Sequence, residues 1–392
     1  MTAGDPLFAE GVDLTVVLIV LAKVLVIFGF LLVSVMMLVW FERKIVSDMQ
    51  NRIGPNRAGP WGMLQTMADG IKLFFKEDLL PREADRRVYR VAPYLSIIPA
   101  FGAFAIVPVG GTISIAGRET YAQLADPPIG ILFLLAMSSI AVYGVILAGW
   151  SSGSKYPLLG SVRASAQMVS YEAAMSLSVA AAVLAAGSLS TRDIVDAQAT
   201  WQWNLWTLGV VPFVIFVIAA TAEVNRAPFD LVEAEQELVG GFHTEYSSIR
   251  FALFFLAEYM NVITISAIAI TLFLGGTAGP RIGFLEDLWP TVWFFAKLLV
   301  FLFCYVWLRA TLPRLRYDQL MDLGWKVLIP LALFWLLLIG ALRVGEDEGW
   351  ETWWVLAGGA IALLVGLSAL NAAVRMGDRV TQEVQASGEA TF

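Results

Sequence analysis

Long runs of apolar residues recur along the whole chain and are separated by shorter polar segments. A helix that crosses a bilayer needs about 20 apolar residues, and most of these runs reach that length. The pattern predicts about nine transmembrane helices, near residues 14–41, 93–116, 127–150, 160–187, 206–223, 248–274, 289–309, 325–342 and 351–374. The fold class that follows is all-α, a polytopic membrane protein.

One further segment has helical periodicity but is too polar to be a span. Between Trp61 and Lys76 the apolar residues follow helical spacing, and polar residues line the opposite side: Gln65, Asp69, Lys72 and Lys76. This predicts an amphipathic surface helix near 61–76. Two interpretations stay open, namely a generic interfacial anchor and a lateral doorway through which a lipid-soluble substrate leaves the bilayer.

Composition supports a membrane-embedded chain. Of the 392 residues, 58% are hydrophobic and only 15% are charged, which is more apolar surface than a soluble protein of this size can bury. We expect a single membrane domain over 1–392. Its core is eight spans over about 14–342, followed by a ninth span over about 351–374 and a cytoplasmic tail over 375–392.

The distribution of Lys and Arg predicts the orientation of the spans. Twenty of these residues fall on one side of the predicted membrane and four on the other. Because cytoplasmic loops carry the excess of Lys and Arg, the N-terminus is predicted to lie outside and the C-terminus in the cytoplasm. In a bacterium this places the chain in the inner (plasma) membrane.

The segment between the fifth and sixth spans concentrates acidic residues. Between Glu223 and Tyr246 only Arg226 is basic, and the acidic residues are Glu223, Asp230, Glu233, Glu235, Glu237 and Glu245. The spacing of Asp230 and Glu233 predicts the start of a short helix. Crowded carboxylates favour protonation, which suits proton transfer, although an ordinary acidic surface loop is the other interpretation.

Two carboxylates are predicted to lie inside spans. Glu172 stands nine residues beyond Arg163 and Glu258 stands eight beyond Arg250, which places them roughly 12–13 Å deep. Lys23 and Lys297 also fall within spans. Ionisable residues in a membrane are costly and usually functional, so a proton pathway is favoured over purely structural hydrogen bonding.

Seven segments in consistent order carry a resemblance to one family. They read ERK at 42–44, RIGPNRAGP at 52–60, ADGIKLFFKED at 68–78, RASAQMVSYE at 163–172, AEVNRAPFDLVEAEQELVGGFHTEY at 222–246, AEYMN at 257–261 and LRATLPRLRYDQLMDLGWK at 308–326. The chain resembles the quinone-chamber membrane subunits (the H subunit in bacteria, subunit 1 in mitochondria) of proton-pumping NADH:quinone oxidoreductase, respiratory complex I. The match covers roughly residues 14–342.

The resemblance implies two sets of site residues. The surface helix frames the mouth of a quinone tunnel. The residues matching polar positions around that tunnel are Glu42, Arg43, Arg52 and Asp69. The residues matching a proton path toward the antiporter-like subunits are Glu172, Glu223, Glu233, Glu235, Glu237 and Glu258. The resemblance assigns no essential role to His243.

The resemblance also implies the partners. The hydrophilic quinone-module subunits dock on the cytoplasmic loops, further membrane subunits lie alongside, and FMN and iron–sulfur clusters belong to partner subunits. The chain itself binds no cofactor, and quinone is the substrate of the complex.

Two alternatives stay open from the sequence. The nearer is a membrane subunit of a related complex, such as a membrane-bound hydrogenase or a dehydrogenase with another electron donor, and co-purifying subunits would separate the two. The remoter is a stand-alone secondary transporter. Transporters commonly carry internal repeats with broken helices, and the sequence has no such repeat.

The cysteine and histidine content predicts that the isolated chain carries no redox centre. One Cys and one His cannot assemble an iron–sulfur cluster or a conventional haem site. Metal analysis and an absorption spectrum of the purified subunit are expected to detect neither. Stoichiometric iron or a haem band would contradict this prediction.

Overall fold

Helices dominate the part of the chain that the computed structural model describes, which is residues 5–9, 11–199, 201–231, 239–280, 283, 286–351, 353–362, 364–366 and 368. The longer helices are α1 (Leu14–Met49), α2 (Gln65–Phe75), α3 (Arg86–Phe104), α4 (Gly130–Ser151) and α5 (Lys155–Ala186). They are followed by α6 (Thr191–Ala197), α7 (Asn204–Thr207), α8 (Val210–Glu223), α9 (Ser248–Phe273) and α10 (Trp289–Thr311). Next come α11 (Tyr317–Asp322), a π-helical segment (Leu323–Leu328) and α12 (Ile329–Asp347).

Six helices are long and apolar enough to cross a membrane, which confirms the all-α polytopic prediction. They are α1, α4, α5, α9, α10 and the continuous stretch Tyr317–Asp347 that joins α11 to α12. Two of the other predicted spans correspond to shorter apolar helices, α8 and Trp353–Gly366. The remaining one corresponds to α3, whose 19 residues include three arginines near its start.

The second predicted span, 93–116, is wrong in its position. The helix there is α3, and Asp85 caps its start by accepting hydrogen bonds from the backbone N–H groups of Arg87 and Val88. The helix ends before Pro108, as expected where a proline removes a backbone donor. The chain then forms an antiparallel hairpin of β1 (Thr112–Ile115) and β2 (Arg118–Tyr121), which the apolar pattern did not reveal.

The surface helix is present but shorter than predicted. Residues Pro60–Gly62 form a 3-10 turn, and α2 begins only at Gln65. The cause is local backbone geometry, because Gly59, Trp61 and Gly62 all have positive φ angles (70°, 52° and 78°) that no α-helix accommodates. None of the residues of α2 is buried, as an amphipathic helix lying along a membrane requires.

The two lysines within spans have satisfied ammonium groups. Lys297 Nζ donates to the carbonyls of Leu274, Gly276 and Ala278 at 2.8, 2.9 and 2.7 Å. Lys23 Nζ lies 3.0 Å from Thr120 Oγ1 of the hairpin and 3.3 Å from Asp5 Oδ2. Both lysines therefore cross-link elements of the fold.

The chain separates into two compact units, residues 1–332 and 333–392. In the second unit the later residues of α12 pack on the Trp353–Gly366 helix, where Gly359 leaves room for the Leu338 side chain. The single membrane domain and its cytoplasmic tail stay a prediction.

In the first unit, α3 and α4 approach closely at Gly144. A Cβ atom added there would lie 2.8 Å from the Ser96 nitrogen and 3.1 Å from the Ala92 carbonyl oxygen. Small residues at such a point allow the backbones of two membrane helices to meet.

We predict that Gly144→Ala destabilises the protein because the added methyl group meets the backbone of Ser96 and Ala92 as well as the Ser96 hydroxyl, and the backbone cannot rotate aside. Overpacking of this kind costs about 1–3 kcal/mol. Gly29→Ala is the matched control, since Gly29 lies in a spanning helix with nothing within 4 Å of its added Cβ. The thermal midpoint of the detergent-purified protein should fall for Gly144→Ala alone, and equal midpoints would contradict the prediction.

Candidate functional site

The Glu223 carboxylate lies at the C-terminal end of α8 and is 7% exposed. Its Oε1 accepts a hydrogen bond from the Ser138 hydroxyl of α4. Its Oε2 is buried and has no hydrogen-bond partner among the described residues. A neutral hydroxyl is thus the partner that this carboxylate has among the described residues.

Glu172 is held in the same way by the next residue of α4. The Ser139 hydroxyl donates a hydrogen bond to Oε1 of Glu172, which lies in α5. Two consecutive serines of α4 thus each bind a carboxylate from a different helix. Sequence reasoning missed both serines. The only signal was a polar Ser–Ser pair inside an apolar run, which does not reveal what the pair contacts.

Glu258 has a different environment, because its charge is balanced. Arg226 Nε lies 2.6 Å from Glu258 Oε1, and the arginine is 2% exposed. The Arg226 guanidinium also stacks over the Tyr259 ring, 4.1 Å from its centroid. Glu258 is therefore the ion-pair partner of a buried arginine, whereas Glu172 and Glu223 are bound by hydroxyls. The sequence shows Arg226 within the acidic segment but does not predict that it pairs with Glu258.

Two small cavities adjoin the carboxylates. The first, of about 50 Å³, has a mixed apolar and polar lining, and its polar residues include Glu223, Glu258 and Asn261. The second, of about 40 Å³, shares Glu223 and Asn261 and adds Ser138 and Thr264. A cavity needs about 10–15 Å³ of such space to hold one water molecule, so each has room for more than one. The carboxylates of α8 and α9 therefore line one region with room for water.

The backbone after Glu223 is held by a buried glutamine. Gln167 Nε2 lies 2.7 Å from the Ala222 carbonyl oxygen, 2.8 Å from that of Phe229 and 3.2 Å from Asn225 Oδ1. Gln167 therefore binds both ends of the turn that follows α8, including Asn225 with its positive φ of 57°. This turn places Arg226 next to Glu258.

The structure brings together only part of the predicted quinone-chamber set. Arg43 Nη1 lies 3.0 Å from Asp69 Oδ2, which links α1 to α2. Glu42 forms an ion pair with Arg309 of α10. Arg52 is exposed, and its Nε donates to the side chain of its neighbour Gln50 at 2.6 Å.

Three residues of the predicted proton path fall outside the described residues. They are Glu233, Glu235 and Glu237, and the short helix predicted to start at Asp230 lies in the same segment. Asp230 itself is described, and its Oδ2 lies 2.7 Å from Arg314 Nη2.

His243 lies beside this region in a 3-10 turn (Gly241–His243) and lines the first cavity. Burial lowers the pKa of its imidazole to about 4, an effect that the nearby Asp230 charge only partly opposes. The ring packs against the aromatic rings of Phe242 and Phe251 at centroid distances of 5.1 and 5.3 Å. The histidine is therefore neutral at physiological pH.

Comparison with known proteins gives one consistent family. A sequence profile described as NADH dehydrogenase matches residues 22–340. A Frankia alni protein named as the H subunit of NADH-quinone oxidoreductase is 53% identical over 358 residues, which cover 90% of this chain and 79% of that protein. The protein of the same name from Frankia casuarinae is 52% identical, with the same coverage of each chain.

We predict that acid destabilises the protein partly through His243. The imidazole has a pKa near 6.5 when unfolded and about 4 when folded, so the folded state binds fewer protons between these values. Stability is therefore lost as pH falls through 6.5 toward 4. His243→Gln, which cannot titrate, should lose less thermal stability than the wild type between pH 7 and pH 5. An equal loss in both proteins would contradict the assignment.

Proposed function

Because the chain belongs to the NADH dehydrogenase family, we propose that it acts as the H subunit of an NADH-quinone oxidoreductase, forming the quinone-access route and linking quinone reduction to proton translocation. The observation that carries the proposal is that the Glu223 and Glu258 carboxylates line small cavities with room for water, while Glu172 is hydrogen-bonded to Ser139, the neighbour of the Ser138 that binds Glu223. Placing a charged side chain at the centre of a membrane helix costs about 2.5–3.5 kcal/mol on insertion scales, so residues of this kind are usually functional.

In this proposal α2 forms the mouth of the quinone tunnel. Its exposed apolar residues, which include Ile71, Phe74 and Phe75, suit contact with acyl chains and with the isoprenoid tail of a quinone. Arg43 and Asp69 form the polar rim that the quinone head group passes.

Electrons reach the quinone from partner subunits. Those subunits carry FMN and iron–sulfur clusters and dock on the cytoplasmic loops of this chain, whose N-terminus lies outside and whose C-terminus lies in the cytoplasm. Reduction of quinone to quinol takes up two electrons and two protons, and the charge change is what the carboxylates of this chain respond to. Two unit charges 4 Å apart interact by about 4 kcal/mol at an effective dielectric of 20.

The three carboxylates have different roles in the proposed proton transfer. Glu172 and Glu223 exchange protons with water because their described partners are the hydroxyls of Ser139 and Ser138. Glu258 responds through its ion pair, since protonation of the carboxylate weakens its attraction for Arg226. Glu233, Glu235 and Glu237 extend the path along the cytoplasmic loop.

We predict that Glu223→Gln and Glu172→Gln permit assembly but reduce quinone reductase activity and proton translocation several-fold. Glutamine preserves size and hydrogen bonding to serine but cannot titrate. NADH-driven quinone reduction and proton uptake should be measured on one membrane preparation and normalised to assembled complex. Glu119→Gln is the control, because Glu119 is an exposed carboxylate on the hairpin.

Glu258→Gln requires the same normalisation for a further reason. The substitution leaves the buried Arg226 charge without its carboxylate, and breaking a buried pair costs about 3–5 kcal/mol. Less complex is expected to assemble, with lower turnover in what does. Wild-type turnover and wild-type pumping in both Glu172→Gln and Glu223→Gln would refute the proton path.

A further inference from the structure

The surface helix α2 lacks the apolar packing that usually positions a helix. None of its residues is buried, and Phe75 is 87% exposed. Polar contacts with the rest of the protein therefore contribute to its orientation, together with the contact of its apolar face with lipid. The Arg43–Asp69 pair provides one such contact from α1, near the middle of α2. The C-terminal end of α2 is held by a different element, the first turn of α9.

Ser248, the first residue of α9, binds the C-terminus of α2. Its hydroxyl oxygen lies 2.9 Å from the Leu73 carbonyl oxygen and 2.8 Å from that of Lys76, and the single hydroxyl proton is shared between them. The last carbonyls of a helix have no partner within it, so a donor from elsewhere satisfies them. Ser248 is 3% exposed, which keeps water from competing for these carbonyls.

Two neighbours of Ser248 hold the segment that follows α2. Ser247 Oγ accepts a hydrogen bond from the Leu79 backbone nitrogen at 2.8 Å. Arg250 Nη2 lies 2.9 Å from Asp78 Oδ2. Three residues at the start of α9 thus bind backbone and side-chain groups between Leu73 and Leu79. We call Ser247, Ser248 and Arg250 the α9 clasp.

The backbone at Ser248 is in an unfavourable conformation. Its φ angle is +56°, in the left-handed region that side chains other than those of Asn, Asp and Gly rarely adopt. A strained residue persists only where its surroundings hold it in place. The two carbonyl contacts of the hydroxyl are the interactions that retain a serine in this conformation.

We propose that the α9 clasp positions α2 for quinone access, with Ser248 as the positioning residue. This inference rests on the function proposed above for α2. Glu258 lies ten residues beyond Ser248 on the same helix, about 15 Å along its axis. The surface helix and the buried Arg226–Glu258 pair are thereby attached to opposite ends of one rigid stretch of α9.

The test compares Ser248→Gly with Ser248→Ala in the assembled complex. Glycine readily adopts the positive φ but lacks the hydroxyl, whereas alanine lacks the hydroxyl and does not favour the positive φ. Each is expected to raise the KM for decylubiquinone, or for a short-chain naphthoquinone if that supports faster wild-type turnover. The rise should be about fivefold, the equivalent of one hydrogen bond. The kcat should stay within about twofold, since α2 does not touch the electron donor, and NADH oxidation by ferricyanide should not change.

A second measurement distinguishes a defect in the position of α2 from a general destabilisation of the protein. Hydrogen exchange of peptides covering residues 65–80 should accelerate in Ser248→Gly, while peptides from α4 keep the wild-type rate. Ser248→Asn, which tolerates a left-handed φ and supplies an amide donor, should restore part of the affinity for quinone. Ser154→Gly is the control, because Ser154 also precedes a helix but makes no capping hydrogen bond.

Three outcomes overturn the clasp. They are a wild-type KM in Ser248→Gly, unchanged exchange over residues 65–80, and an effect confined to Ser248→Ala, which would assign the defect to the backbone alone. If Ser248→Ala does not assemble, Ser248→Gly and the milder Ser247→Ala decide the question. Asp69→Asn distinguishes this inference from the proposed function: a raised KM there with normal Ser248→Gly refutes only the clasp, whereas wild-type kinetics in both refute quinone access along α2.

Discussion

A polar group inside a membrane must find its partner within the protein, because lipid offers none. This constraint explains why Lys297 binds three carbonyls and why Ser138 and Ser139 face two carboxylates from neighbouring helices. For the same reason, a buried polar atom that lacks a protein partner is informative. Glu223 Oε2 lacks a hydrogen-bond partner among the described residues, and it belongs to a side chain lining both small cavities. Those cavities have room for water molecules that can hydrogen-bond to this oxygen atom.

The chemical difference among the carboxylates follows from what each one binds. A hydroxyl stabilises either the charged or the protonated form of Glu172 and Glu223, so these groups can change protonation state without disrupting their surroundings. Arg226 stabilises the charged form of Glu258, so protonation there removes a negative charge that faces a buried cation. Protonation of Glu223 is therefore expected to cost less free energy than protonation of Glu258 beside Arg226.

The surface helix obeys a different rule, because one of its faces meets water. Exposed ion pairs such as Arg43–Asp69 contribute at most about 1 kcal/mol, so a helix without buried side chains needs several contacts to keep one orientation. The α9 clasp supplies contacts that are better shielded, through Ser248 in particular. Such a helix is held firmly at one end and more loosely along its length, which suits the role in quinone access proposed for it.

The sequence by itself determined the membrane class, the helical fold and the surface helix, because these depend on the length and period of apolar runs. It also identified Glu172, Glu223 and Glu258, since a charged residue within an apolar run is visible without any structure. Only the tertiary structure decided that Ser138, Ser139, Gln167 and Arg226 surround them, because contacts between helices distant in sequence leave no periodic signal. The early start of α3 and the late start of α2 were likewise decided by a cap at Asp85 and by positive φ angles at Gly59, Trp61 and Gly62. Hydrophobicity determines which segments leave water, whereas the pairing of polar groups inside depends on the three-dimensional packing of those segments.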